Sequence, residues 1–260
     1  MKKYRGIIPP LVTPIDEVGE VCERSVRNLI DFVRPYSEAL MPCLSTGEGW
    51  ALKYEQWERM FLISKKYADD LPVLVGVEVP TTEEVVERAR EAKVLGADAV
   101  VVTTPFRKNL SQEEIYDHFR TVRESVDIPI FLYNESSISG NCIEPETVKR
   151  ICELEDVVGI KEASGSIEIT KSLLAMDLGV PIFQGWENLC LDSRGVDGYI
   201  LPLSNIEPLV CLEMLENPTK SGQEKLDAAC REYNILGKDW YVYVKKELKR
   251  IGIIASDKVV

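Results

Sequence analysis

One histidine, His118, stands in a chain of 260 residues. A zinc site built on several histidines is therefore impossible, and any Ser-His-Asp triad would have to use that one ring. His118 falls inside QEEIYDHFRTVRE, which has amphipathic helical spacing, so a surface or helix-packing role is expected of it. Basic residues are also scarce. There are 31 Lys and Arg against 43 Asp and Glu, a net charge of −12. Nucleic acid and anionic membrane surfaces are excluded as natural partners, because both call for a basic patch. No G-x-G-x-x-G follows the first strand-like run, which argues against a dinucleotide fold. No apolar stretch approaches the length of a membrane span. The start, MKKYRGIIPPLVTP, lacks the apolar core of a signal peptide. No C-x-x-C pair occurs among the seven cysteines, Cys22, Cys43, Cys142, Cys152, Cys190, Cys211 and Cys230. Reduced thiols in a cytoplasmic protein are expected.

What the chain does have is alternation. Short apolar runs (GIIPPLVTP at 6–14, ALMPCLS at 39–45, PVLVGVEV at 72–79, ADAVVVTTP at 97–105, PIFLYN at 129–134, DVVGIKEAS at 156–164, PIFQGW at 181–186 and DGYILPL at 197–203) are each followed by a helical pattern. The helix after 181–186 is the weakest, around 188–194. Nearly continuous apolar strands suit a parallel sheet covered on both faces. Eight strand–helix units predict an α/β fold, a closed (β/α)8 TIM barrel over residues 1–218. Residues 219–260 read as a short C-terminal helical tail that packs outside the barrel.

Lys161 lies inside the apolar run DVVGIKEASG. An unpaired buried charge is expensive, so a lysine there tends towards the neutral amine, which is a nucleophile. Alternation along the strand puts Gly159, Lys161 and Ala163 on one face, with Val158, Ile160 and Glu162 on the other. The first face is small except for the lysine, which suits a barrel interior with room for a ligand. Active sites of such barrels form where strands end. Imine chemistry then needs a proton shuttle, for which Tyr133 is the best placed, and donors for a carboxylate. Ser45, Thr46 and backbone N–H groups around Gly47 fit that second need.

These segments resemble the dihydrodipicolinate synthase and N-acetylneuraminate lyase family of Schiff-base aldolases. The matching pieces are GIIPPLVTP with D-x-x-G-E-V after it, STGE (45–48), VTTPF (102–106), SQEEIYDHF (111–119), FLYN (131–134), PETV (145–148), GIKEASG (159–165) and IGIIAS (251–256). The resemblance implies a (β/α)8 barrel with a helical tail, assembled as a homo-tetramer or dimer. It implies that Lys161 forms the Schiff base with a pyruvate-like 2-oxo acid and that Tyr133 moves protons. Ser45 and Thr46 would hold the 2-oxo acid's carboxylate. Gly47, Glu48, Arg107, Glu187 and Ile200 complete the expected substrate-binding set. No cofactor and no metal are expected.

The chain also departs from the family. Arg107 stands where the synthase branch carries a second tyrosine, and Ile138 where it carries an arginine for the second substrate. Leu44 replaces a glycine before STGE, which would narrow the pocket. The leading expectation is an aldolase or lyase of a 2-oxo acid, such as a 2-keto-3-deoxy sugar acid. Dihydrodipicolinate synthesis and a catalytically silent 2-oxo-acid sensor stay open. So does a magnesium enzyme built on Glu78, Glu135 and Glu187.

Overall fold

The computed structural model describes residues 4–260. Seven short strands run parallel: β1 (Gly6–Ile7), β2 (Leu74–Gly76), β3 (Ala99–Val102), β4 (Ile130–Glu135), β5 (Val157–Ala163), β6 (Ile182–Gln184) and β7 (Gly198–Tyr199). Their order in the sheet is β1-β7-β6-β5-β4-β3-β2. The eighth expected strand, 39–45, forms no continuous ladder. Pro42 has no N–H to give, and Cys43 adopts a left-handed φ of 61°. Residues 40–42 still close the ring. Leu40 donates to the Pro72 carbonyl at 2.9 Å and Gly76 donates to the Pro42 carbonyl at 2.9 Å, while Met41 donates to the Pro9 carbonyl at 3.1 Å. The segment thus bonds to β2 on one side and to the chain after β1 on the other, and the architecture is the (β/α)8 barrel.

Helices cover the outside: α1 (Glu23–Val33), α2 (Tyr54–Tyr67), α3 (Thr82–Val94), α4 (Gln112–Ser125), α5 (Pro145–Cys152), α6 (Ile167–Ala175) and α7 (Pro208–Glu216). Two of their starts were written locally in the sequence. Thr81 and Ser111 each accept from the N–H three residues on, and Glu84 and Glu114 reach back to close the capping box. The expected helix around 188–194 is only a 3-10 turn, Glu187–Leu189. Two further helices follow, α8 (Lys220–Glu232) and α9 (Trp240–Arg250). The tail does more than pack outside: the linker between α8 and α9 crosses to the mouth of the barrel, and at the start of α9 Trp240 Nε1 donates to Thr46 Oγ1 at 3.4 Å. Among the described residues no helix is long and apolar enough to cross a membrane.

Two apolar layers result. One lies between strands and helices, and the other fills the barrel interior with Ile8, Leu74, Val101, Phe131, Phe183 and Ile200. Val158 belongs to the interior layer, contrary to simple alternation. The pairing of β4 with β5 slips between Ile130↔Val157 and Phe131↔Gly159, leaving Val158 as an extra residue. Such a bulge resets which side chains face inwards. Beyond it the alternation is regular, so Lys161 and Ala163 face the interior and Ile160 the helices.

His118 is a packing residue. It is buried, with Nε2 3.0 Å from the Thr103 carbonyl and Nδ1 2.9 Å from Thr82 Oγ1. The carbonyl can only accept, so Nε2 carries the hydrogen and Nδ1 accepts from the hydroxyl. Burial pushes the ring's pKa down to about 4. An unfolded imidazole takes its proton near pH 6.5. Between those values the unfolded chain binds more protons, so stability falls as pH drops from 6.5 towards 4. The expected loss from this ring is about 3 kcal/mol. Urea midpoints at neutral and mildly acid pH, compared with those of His118→Gln, isolate it: the variant should lack that part of the slope.

Candidate functional site

β5 carries Lys161 to the interior, and β4 sets Tyr133 beside it in register. Lys161 is 2% exposed, and its Nζ lies 4.2 Å from the centre of the Tyr133 ring. Room for the lysine depends on Gly185 at the end of β6. A Cβ there would come within 2.6 Å of the Ala163 Cβ and 3.2 Å of Lys161 Cε. Beneath the amine the aromatic floor of Phe131 and Phe183 excludes water, with ring centres 5.6 Å apart. Above it opens a cavity of about 370 Å³. That is within the range of small-molecule sites.

The electrostatics follow from burial. Desolvation lowers the Lys161 amine to about 8, although Glu78, Glu135 and Glu187 all pull it upwards. At pH 7 about a tenth of such amines are neutral, against fewer than about one in a thousand for an ordinary lysine. Burial, then the charge of Glu135, pushes Glu78 up to about 8. Burial likewise brings Glu187 up to about 7. The Tyr133 phenol is raised by burial, then by Glu135 and Glu78. Its oxygen is 3.3 Å from Ser45 Oγ, and Ser45 Oγ donates to Glu78 Oε1 at 2.5 Å.

Ser45 and Thr46 sit on a 3-10 turn, Ser45–Gly47, that follows Leu44. The turn needs glycine at 47: a Cβ there would lie 2.6 Å from the Leu11 carbonyl oxygen. Thr13 Oγ1 donates to the Gly47 carbonyl at 2.7 Å and holds the turn against the end of the first strand segment. The residues can thus offer a poised amine, a phenol, two hydroxyls and a closed apolar floor. That set suits condensation of an amine with a carbonyl.

The sequence model of the dihydrodipicolinate synthetase family matches residues 3–258. The chain belongs to that family. The 4-hydroxy-tetrahydrodipicolinate synthase of Pelobacter propionicus is 36% identical over 210 residues, 79% of this chain and 72% of that protein. The synthase of Syntrophus aciditrophicus is 35% identical over 216 residues, 80% of this chain and 74% of its own. Among solved structures, dihydrodipicolinate synthase from Thermotoga maritima superposes with a TM-score of 0.89 at 26% identity, covering 100% of this chain and 92% of that one. The pyruvate complex of the chloride-inhibited synthase from Acinetobacter baumannii superposes with a TM-score of 0.89 at 25% identity, covering 98% and 91%.

Within this dihydrodipicolinate synthetase family barrel, the structure gathers Lys161, Tyr133, Ser45, Thr46 and Glu187 around one cavity. Four expected binding residues lie elsewhere. Arg107 points into solvent and pairs with Glu114 at the start of α4, which also caps that helix. Glu48 takes a left-handed conformation, φ 59°, that turns its side chain from the cavity. It pairs instead with buried Lys245 of α9. Gly47 spends its N–H on the Leu44 carbonyl at 2.7 Å, so that group is not free for a ligand. Ile200 is wholly buried in the interior layer. Leu44 is buried in the same layer and does not line the cavity.

The three carboxylates of the magnesium reading are engaged separately. Glu135 accepts from Ser137 Oγ and from the Ile138 and Ser139 N–H groups, and Glu187 accepts from the Leu203 N–H. Among the described residues no group of three or more His, Cys, Asp or Glu could hold a metal ion. Sequence reasoning missed the aromatic wall of Trp50, Trp240 and Tyr241. Tyr241 packs edge-on against Trp50 at 5.5 Å and against Trp240 at 5.6 Å. The signal was visible as the aromatic density of DWYVYV in the tail.

Proposed function

We propose that Lys161 condenses with the ketone of a 2-oxo acid and that the protonated imine then draws electrons from the adjacent carbon. A C–C bond beside that carbon can break or form. This makes the protein a pyruvate-dependent class I aldolase, a carbon–carbon lyase. The observation that carries the reading is the amine itself: a buried lysine at a strand end, lowered to about 8 by desolvation and seated on the Tyr133 ring. Family membership and the pyruvate complex of the Acinetobacter baumannii neighbour support it. In this reading Tyr133 moves protons to and from the substrate, and Ser45 and Thr46 hydroxyls hold the carboxylate.

A cytoplasmic setting is part of the proposal. All seven cysteines are free thiols, five of them buried. So is assembly of the chain as a homo-oligomer.

Borohydride reduction in the presence of pyruvate, followed by peptide mass analysis, tests the function. A reduced adduct on the peptide carrying Lys161 supports it, and an unmodified Lys161 overturns it. Adduct formation without turnover of any aldehyde would leave the 2-oxo-acid sensor.

A further inference from the structure

Glu78 has no role in the chemistry above, yet it is a buried carboxyl whose charge acts on the lysine. It follows β2 and is 3% exposed. Oε1 accepts from Ser45 Oγ at 2.5 Å. Oε2 is buried with no hydrogen-bond partner among the described residues, packed where a Cβ on Gly49 would come within 2.7 Å of it. A buried carboxylate with one oxygen unbonded is costly while ionised. It can relieve that cost by taking a proton.

The hydroxyl directions are fixed by this acceptor. Ser45 points its hydrogen at Glu78, so the Ser45 oxygen can accept from the Tyr133 phenol, 3.3 Å away. Both hydroxyls then run the same way, from the cavity towards the carboxylate. Nothing else among the described residues terminates the line: Arg107, at the place of the expected second tyrosine, faces outwards and pairs with Glu114.

We infer that Glu78 is the proton store of the site, exchanging protons with the substrate through Ser45 and Tyr133. The inference rests on the imine reading and deepens it. When a C3 proton leaves the pyruvate imine, the C–H electron pair becomes the C=C bond of the enamine, and the C=N π pair moves to nitrogen. The proton goes to the Tyr133 oxygen, the phenol's own proton goes to Ser45, and the serine's goes to Glu78. Protonation of the enamine runs the line backwards. Atoms and electrons balance without a further reactant.

The acidity of Glu78 fits a store that fills and empties near neutrality. Burial and Glu135 push it up to about 8, opposed by the Ser45 hydrogen bond and by the Lys161 charge. The groups facing it are Ser45 and Cys43 from the second strand segment, Tyr133 and Glu135 from β4, and Lys161 from β5. Glu78 is therefore a proton-relay residue acting through Ser45, not a group that touches substrate.

The test is exchange of the pyruvate methyl hydrogens with deuterium oxide, followed by proton NMR at saturating pyruvate. Under saturation Lys161 is already an imine, so its own ionisation drops out of the pH profile. The wild-type rate should rise with pH, with its midpoint near 8 and a plateau above it, as the carboxylate form becomes available. In Glu78→Gln, borohydride trapping of pyruvate should persist while exchange falls about 100-fold and loses that rise. Glu78→Asp should recover part of the rate and keep a rise. Exchange in Glu78→Gln within about threefold of wild type, or with the rise intact, would overturn the relay. Should Glu78→Gln fail to fold, a Glu78→Asp profile identical to wild type would overturn it. Absence of any wild-type adduct at Lys161 would instead overturn the imine reading, so the two failures are distinguishable.

Discussion

Lys161→Ala is expected to abolish the borohydride-trapped pyruvate adduct and to lower C–C bond turnover by about 10⁴-fold or more, leaving the fold intact. The reasoning is local. Among the described residues no other amine lines the floor of the cavity; Lys238 lies exposed at its rim. Removing a buried cation also removes the partner of Glu78 and Glu187, but burial already holds both carboxyls up, at about 8 and about 7. They can protonate and stay neutral at little cost. The variant should therefore melt close to the wild type, and loss of activity would report chemistry and not unfolding. In the wild type, the rate of adduct formation at low pyruvate should rise with pH, reach half its maximum near 8 and level above that. The neutral amine is the reactive form, and half of it is neutral at its pKa. A trapped adduct in Lys161→Ala, or a profile flat from pH 6 to 8, would contradict the assignment.

The second large effect concerns the aldehyde that joins or leaves the 2-oxo acid. Uncharged aldehydes are expected to exceed acidic ones, aspartate semialdehyde included, by about tenfold or more in kcat/KM, because close like charges cost several kcal/mol. Among the described residues the depth of the cavity offers no cation other than Lys161. Ile138 presents an alkyl group to it, and Glu187 presents a carboxyl, with Glu135 buried next to them. At the rim Lys238 is offset by its neighbour Asp239. Trp50, Trp186 and Trp240 supply apolar and edge-on polar surface suited to a neutral chain. A panel of aldehydes assayed with pyruvate decides the point. Turnover of the acidic aldehyde equal to that of its uncharged analogue would show that the carboxylates do not set the preference. Ile138→Arg should then be silent; the expected result is a selective gain for the acidic substrate.

Much of this was legible from residue order. Eight apolar runs alternating with helical spacing specified the barrel, and a lysine inside one such run singled out the candidate amine. Parity placed Lys161 on the inner face because the strand is regular from Gly159 onwards. It failed at Val158, one residue before Gly159, because a bulge is a property of the pairing with β4 and leaves no mark on one strand alone. The STGE turn was recognised, but its division of labour was not. Ser45 and Glu48 are three residues apart, yet the left-handed backbone at Glu48 sends one side chain to the cavity and the other to Lys245. Arg107 was ambiguous for a similar reason: its partner, Glu114, is already needed for the helix cap, and only the loop's path brings the two together. The reach of residues 235–241 across the barrel mouth could not be read from helical periodicity, which gives the length of a helix and not its destination.

That crossing separates two jobs along the chain. The proposed bond-making group comes from the middle of the sequence, on a strand whose neighbours lock it in register. Much of the far wall, Ile235 to Tyr241, comes from a connector and the first turn of α9, which add nothing to the sheet. Drift in the connector can thus reshape what the enzyme accepts while the reactive lysine stays where it is. For a lineage acquiring a new diet, or for a laboratory imposing one, those seven positions are where change is cheapest.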